Sequence, residues 1–350
     1  MKVLDVVGLP LAAPAIVSGQ KNFAANRVIG SRRLNARGLH RWRVATAHAM
    51  SWRRRAALAD GLTPAERTAF DRDGFVVRED ALPPDLFARF VEEVATRPRR
   101  AWEMRQGHAV TRLMPLPARD DGSAAAAARA YVRGPKVRRL VGYVAGRTGA
   151  YNPVLQTIAN DPDPQAPDPQ NTLHADTFHP TAKFWLFLHD VGEDDGPFSY
   201  VPGSHRLTPE RLQWEHDEAV VATQVADAHH ASGSFRMSED QLAALGYGRL
   251  VTLPVRANTL VVADTYGFHR RTPTTRPTVR TEIHGMLRRN PFVPWNGVDP
   301  AELPGIEGRL VWLSFAMRDR AARRGRPSKY VPMGERLAGE PATRLARDDA

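Results

Sequence analysis

The chain is 350 residues long, with 42% hydrophobic and 25% charged residues, the balance of a folded globular protein rather than a disordered one. It contains no cysteine, which excludes disulfide frameworks, Cys-ligated zinc, iron–sulfur clusters and thiol nucleophiles and leaves imidazole and carboxylate as metal ligands. The net charge of +11 is uneven: residues 1–60 carry +9, residues 305–350 carry +4, and residues 61–304 carry −2. The basicity therefore belongs to two arms. They could touch an anionic surface weakly, whereas the near-neutral body argues against a cationic nucleic-acid groove. No run approaches the roughly 20 apolar residues of a membrane span. The apolar stretch 3–17 is broken by Asp5 and preceded only by Lys2, so a cytoplasmic protein is expected.

Residues 39–58 form a basic amphipathic helix pattern, with Leu39, Val44, Ala47, Met50 and Ala56 near one face. Its run Trp52-Arg53-Arg54-Arg55 is expected to be a solvated face. Thr63 and Glu66 have capping-box spacing at the start of a short helix. Phe75-Val76-Val77 suggests a brief strand, and Pro84 opens a helix to about Ala95. Residues 122–146 suggest helix interrupted at Gly134-Pro135. From 154 the texture becomes strand-like: 154–159, 182–191, 197–203, 249–255, 259–265 and 278–287, with helical pieces between 207 and 248. Short strands, turn-rich connections and a helical preface predict a mostly β fold with helices, a jelly-roll or related double-sheet barrel. The expected division is a basic N-terminal extension (1–58), the barrel domain with its helical insert (59–304) and a basic C-terminal segment (305–350). Residues 1–38 and 331–350 are expected to be dispensable for the chemistry, since neither segment supplies an expected site residue.

His174-Ala175-Asp176 follows a loop (161–170) rich in Asp and Pro. Residues two apart in a strand project to one side, so this imidazole and carboxylate can meet one metal. A second imidazole completes a two-His, one-carboxylate face with open positions, an arrangement suited to non-haem Fe(II). A lone His-x-Asp arises about once by chance in a chain of this composition, so context decides. A strand and the turn DDGPFSYVPGSHR follow the pair; a later segment ends in His269, with Arg280 eleven residues beyond it.

In these features the sequence resembles the phytanoyl-CoA dioxygenase family of Fe(II)/2-oxoglutarate oxygenases, over roughly residues 60–295. The resemblance implies a double-stranded β-helix (jelly-roll, cupin-like) core, with Fe(II), 2-oxoglutarate and O₂ as cofactor and cosubstrates. It makes His174, Asp176 and His269 the iron ligands, and Arg280 the partner of the distal carboxylate of 2-oxoglutarate, a role suited to a planar guanidinium fork. Gln156 and Trp185 fall where the family has cosubstrate contacts, although a Trp on an apolar strand also serves as core. Arg271 stands where the family often has a small hydroxyl residue, which leaves Thr272 or Lys183 as substitutes for that contact. His284 competes with His269 as second imidazole, and Arg280, Glu282 and His284 share one strand face; the Arg spacing favours His269. His179 is expected in a loop and His205 in the family turn.

The expected reaction is hydroxylation of an unactivated C–H bond of a small organic or acyl substrate. Asp176 favours that outcome, since related halogenases have a small residue there. Two other readings are a non-catalytic cupin-like binding module, which has no need for Arg280, and a nucleic-acid demethylase. The sequence does not choose the substrate.

Overall fold

The computed structural model describes residues 13–297, 299–303, 306, 309–326 and 328–342. An eight-stranded antiparallel sheet forms one wall, with strands β1 (Phe75–Arg78), β2 (Arg99–Gln106), β3 (Ala109–Pro115), β4 (Val154–Asn160) and β5 (Ala182–Phe187). A three-stranded sheet forms the other from β6 (Phe198–Tyr200), β7 (Val251–Leu253) and, after β8 (Leu260–Asp264), β9 (His269–Arg271). The large sheet is completed by β8, β10 (Thr278–Leu287) and β11 (Val331–Arg336). Its order is β1-β8-β5-β10-β4-β3-β2-β11, and that of the small sheet is β7-β6-β9. Two facing antiparallel sheets with a helical preface are the expected jelly-roll.

Register decides which residues reach the interior. On β10, Ile283 and Leu287 join a core with Leu140, Val141 and Val144 of the helix Pro135–Val144, on the outer face of the large sheet. Period-2 alternation then turns Arg280, Glu282 and His284 inward. Glu282 lies opposite Gln156 of β4 and Phe187 of β5, and His284 opposite Trp185. Between the sheets, Trp185, Phe187, Phe198, Tyr200 and Val261 pack as a second core.

The expected helices at 39–58, 64 onward and 84–95 occur as Leu39–Ala56, Pro64–Asp73 and Pro84–Thr96, with the Thr63–Glu66 capping box formed. The Arg53–Arg55 expectation is corrected. Arg54 and Arg55 are buried. Arg54 donates to the carbonyls of Gly146 and Val293 (2.8 and 2.9 Å), and Arg55 to the Tyr143 carbonyl and to Asp264 Oδ2 (3.0 and 2.7 Å). Each guanidinium finds acceptors in chain segments far away in sequence, which offset much of the cost of burial, while Arg55 Nη1 has no hydrogen-bond partner.

The arms also fold onto the barrel. Phe23 and Ile29 share a buried cluster with Leu173, Ala175 and Phe268, the immediate neighbours of His174, Asp176 and His269. Buried Arg43 donates to the carbonyls of Ile16, Ser18 and Gln20 (2.9, 3.0 and 2.6 Å). At the other end, Phe315 of the helix Arg309–Arg323 stacks on Trp102 of β2 at 4.2 Å, and β11 extends the sheet beside β2. Deletion of residues 1–38 should therefore destabilise the protein strongly, since losing a buried Phe alone costs about 3–5 kcal/mol and Arg43 would lose its acceptors. Urea unfolding of the truncated chain checks this; an unchanged midpoint would show that the N-terminal segment is not part of the folded unit.

Candidate metal centre and cosubstrate pocket

His174 and His269 are held face to face by the backbone. Each donates its N–H to the other's carbonyl at 3.0 Å, the closely bonded antiparallel pair in which opposed side chains share a face. The ring centroids are 4.5 Å apart. His174 Nδ1 lies 2.7 Å from the Thr172 carbonyl and His269 Nδ1 lies 2.9 Å from the Gly267 carbonyl. A carbonyl only accepts, so both Nδ1 atoms carry the proton and both Nε2 atoms present a lone pair. Those Nε2 atoms face Asp176, at 3.9 Å from Oδ1 and 3.8 Å from Oδ2 respectively. One ligand atom from each of the three residues lies within 4.8 Å of the others. Imidazole nitrogens facing a carboxylate, with the far nitrogens tied to carbonyls, have the chemistry to hold a divalent metal.

Asp264 ties the two loops of this centre together. Its Oδ1 accepts from the N–H groups of Thr181 and Tyr266 at 3.0 and 3.1 Å, and its Oδ2 accepts from Arg55 at 2.7 Å. Asp176 N–H then donates to the Thr265 carbonyl at 2.9 Å. Gly267 is required at this corner: a Cβ there would sit 1.8 Å from the Tyr200 hydroxyl, which itself donates to the Asp264 carbonyl at 2.7 Å.

Burial lowers His174 well below the usual imidazole range and brings His269 down to about 4, so both stay neutral and able to ligate near pH 7. Burial pushes the Asp176 carboxyl up. Lys183, whose Nζ lies 2.6 Å from Oδ2, outweighs it and holds Asp176 well below the carboxylate range.

A cavity of about 200 Å³ opens beside these residues, lined by His174, His269, Gln156, Lys183, Trp185, Phe198, Arg271, Arg280 and His284 among others. Arg280 donates through Nε to Glu282 Oε2 at 3.1 Å and through Nη1 to the Gly196 carbonyl. Gln156 Nε2 donates to the other Glu282 oxygen at 2.9 Å. Glu282, fully buried, thus fixes both residues. Trp185 packs 4.8 Å from Phe198 and 5.7 Å from His284 between ring centroids, so it is both core and cavity wall. Of the candidates for the remaining cosubstrate contact, Lys183 lines the cavity on Asp176, Arg271 lines it while donating to Asp168 Oδ2 at 2.5 Å, and Thr272 shares a 2.5 Å hydrogen bond with Ser199.

His284 reaches the cavity but its Nδ1 is engaged by the Phe184 carbonyl at 3.1 Å, outside the three-residue cluster. His179 lines a separate small pocket with Ser51 and Arg54. His205 is buried against Phe70, 4.9 Å between ring centroids. Lys21, within the segment 1–38 from which no site residue is expected, donates through Nζ to the Asp176 carbonyl at 2.6 Å, and Tyr330 lines the cavity. Nothing in the local sequence at 21 or 330 marks these residues, because tertiary packing alone brings them there.

Four buried or cavity-lining histidines outside the metal cluster make the fold acid-sensitive. Burial lowers His48 and His205 well below their usual range and brings His179 and His284 down to about 3. Between these folded-state values and the unfolded value near 6.5 the unfolded chain binds more protons, so stability falls as pH drops from about 6.5. For His179 and His284 this should cost about 2 kcal/mol each at pH 5. Metal-free protein should therefore unfold at much lower urea at pH 5 than at pH 7.5, and coincident unfolding curves would contradict these buried neutral imidazoles.

A family model for phytanoyl-CoA dioxygenase (PhyH) matches residues 70–273, a span that includes His174, Asp176 and His269. The chain belongs to the phytanoyl-CoA dioxygenase family. It is accordingly a 2-oxoglutarate-dependent non-haem iron dioxygenase, with Fe(II) and 2-oxoglutarate as its cofactor and cosubstrate. The family match ends before Arg280. No curated protein matches the sequence. Among solved structures, the chain is similar to the non-haem α-ketoglutarate-dependent epimerase SnoN from nogalamycin biosynthesis, at 17% identity over 71% of this chain and 90% of that one, TM-score 0.38. It is likewise similar to HygX from Streptomyces hygroscopicus with nickel, 2-oxoglutarate and hygromycin B bound, at 16% identity, 64% and 87% coverage and TM-score 0.38. The iron-bound EctD from S. alaskensis gives 16% identity, 65% and 76% coverage and TM-score 0.38. Among the described residues, no helix is long and apolar enough to cross a membrane.

Proposed function

We propose that this family member hydroxylates an unactivated C–H bond of a small organic or acyl substrate, with His174, Asp176 and His269 holding Fe(II). The carrying observation is the three-residue cluster itself, in which Asp176 fills the third protein corner opposite two free Nε2 atoms. A carboxylate in that corner leaves no protein-side vacancy for a halide, which supports hydroxylation over halogenation. When bound, the iron would let O₂ act as the oxidant, one oxygen atom passing to 2-oxoglutarate, which leaves as succinate and CO₂, and the other to the substrate.

The chain's own residues do the rest. Arg280, oriented by Glu282 and the Gly196 carbonyl, receives the distal carboxylate of the cosubstrate. Gln156 stands beside it on the same Glu282. Trp185, Phe187 and Phe198 wall the cavity with apolar surface, which keeps bulk water from the reacting centre. The ends of the chain form part of the catalytic unit, since residues 13–58 and the helix and strand after 309 pack on the barrel. The test is product mass with isotopically labelled O₂: hydroxylation adds one labelled oxygen to the substrate for each succinate released. A product without added oxygen, formed with succinate, would overturn hydroxylation while keeping the oxygenase class.

A further inference from the structure

Three of the cations that line the cavity are each closed by a nearby carboxylate. Lys183 lies 2.6 Å from Asp176, Arg271 lies 2.5 Å from Asp168, and Arg280 lies 3.1 Å from Glu282. Two further guanidinium groups beside the metal cluster are different. Arg236 pairs through its backbone with His174, on the side opposite His269. Directly opposed residues in an antiparallel pair point to one face, so Arg236 projects to the same side as His174. Its side chain is only 10% exposed, its Nε and Nη1 are buried without a hydrogen-bond partner, and the nearest carboxylate, that of half-exposed Asp227, stands 3.7 Å away. Arg270, next to His269, lines the cavity. Its Nε is also buried and unpartnered, and the closest carboxylate is that of Glu239, 3.8 Å away and 81% exposed.

No Asp or Glu is among the described residues lining this cavity. Lys21 and Lys329, one from each end of the chain, stand within electrostatic reach of the same corner, around His229. A buried charged donor without an acceptor is costly, and native structures rarely leave one without a reason. Two of them flank the His174–His269 pair, Arg270 in the cavity wall and Arg236 beside His174, where Asp227, Asp176 and Asp168 also act on Arg236 without hydrogen-bonding its Nε or Nη1. The complement of that arrangement is an oxyanion, bound by charge-assisted N–H···O contacts.

We propose that Arg236 and Arg270 clamp the substrate by an oxyanionic group, a carboxylate or a phosphate, beside the His174–His269 pair. This inference rests on the oxygenase reading of the site. It separates the cosubstrate end of the cavity, at Arg280, from a substrate end at Arg270, with Arg236 beside His174. It also gives the uneven charge of the chain a local use, since Lys21 and Lys329 add to the field that draws an anion to the rim.

The test titrates hexanoate, methylphosphonate and neutral hexanamide, under anaerobic conditions, into full-length protein saturated with Fe(II) and 2-oxoglutarate, followed by calorimetry. Iron and 2-oxoglutarate affinities are measured first. The expected result is binding of hexanoate, methylphosphonate or both, with hexanamide at least tenfold weaker; preference between the two anions identifies the carboxylate or the phosphate. Arg236→Gln and Arg270→Gln should each weaken the anion at least tenfold and leave 2-oxoglutarate affinity within about twofold. Arg270 sits at the partly exposed rim, so its variant keeps the test decisive should Arg236→Gln fail to fold. Absence of anion binding, equal binding of hexanamide, or an equal loss of 2-oxoglutarate in the variants would overturn the clamp. Failure of the wild type to hold iron and 2-oxoglutarate would instead fell the oxygenase reading, and the anion titration of the same protein would then decide the clamp by itself.

Discussion

Replacing His174, Asp176 or His269 with Ala should each strip the protein of iron and abolish turnover, while the fold survives. Both imidazoles present Nε2 toward Asp176, and each side chain is one of the three proposed donors gathered among the described residues. Loss of an outer partner of a metal ligand typically costs 10–100-fold in affinity or activity, so loss of a ligand itself should cost at least about 100-fold. The backbone pairing of His174 with His269 does not depend on either imidazole, which is why folding should persist. Iron stoichiometry and circular dichroism of each variant check this. Asp176→Ala also frees Lys183 from its 2.6 Å partner, so that variant should lose metal most completely: a cation then faces the site with no carboxylate between. A folded His269→Ala protein that binds iron normally, beside a dead His284→Ala, would move the second imidazole to His284.

Arg280→Leu should weaken 2-oxoglutarate about 30-fold or more at near-normal iron binding. Truncating one partner of a buried charge pair costs about 2–5 kcal/mol, and each 1.4 kcal/mol is a factor of ten. The structure adds a second consequence. Arg280 also neutralises Glu282, which is fully buried and would keep only the Gln156 hydrogen bond. An uncompensated buried charge destabilises by about 3–5 kcal/mol, so Arg280→Leu should melt earlier than the wild type. The double variant Arg280→Leu/Glu282→Gln should recover much of that stability and none of the cosubstrate affinity. Arg280→Lys should keep the charge balance and restore binding only in part, since an ammonium cannot reproduce the fork. Thermal melts and cosubstrate titrations on the same samples separate the two effects; a folded Arg280→Leu protein with wild-type 2-oxoglutarate affinity would remove Arg280 from the pocket.

Much of the site was legible because its ligands lie on short local patterns. His174 and Asp176 are two residues apart, and the inward face of β10 follows from alternation once Ile283 and Leu287 are assigned to the core. Other parts had no local signature. The hairpin β2–β3 is one of them, because RRAWEMRQ shows no period-2 hydrophobic alternation: Glu103 is buried on Arg112 at 2.6 Å, and Met104 lines the cavity. Strand β11 contains Pro332 and Gly334, both strand-weakening residues, and pairs only at the sheet edge with a register shift between them. Arg54 and Arg55 looked like a solvated run because their acceptors, in segments 143–146 and 291–293 and at Asp264, lie far away in sequence. Nothing in the local sequence marks Arg236, whose place beside His174 follows from a backbone pairing between segments far apart in the chain.

Succinate formation from 2-oxoglutarate, followed with and without Fe(II) and O₂ in wild type, His269→Ala and His284→Ala, tests the central claim most directly. The account predicts succinate from wild type only when both Fe(II) and O₂ are present, retained formation in His284→Ala, and none in His269→Ala. Succinate from His269→Ala at the wild-type rate, or none from folded wild type supplied with Fe(II), 2-oxoglutarate and O₂, would contradict it.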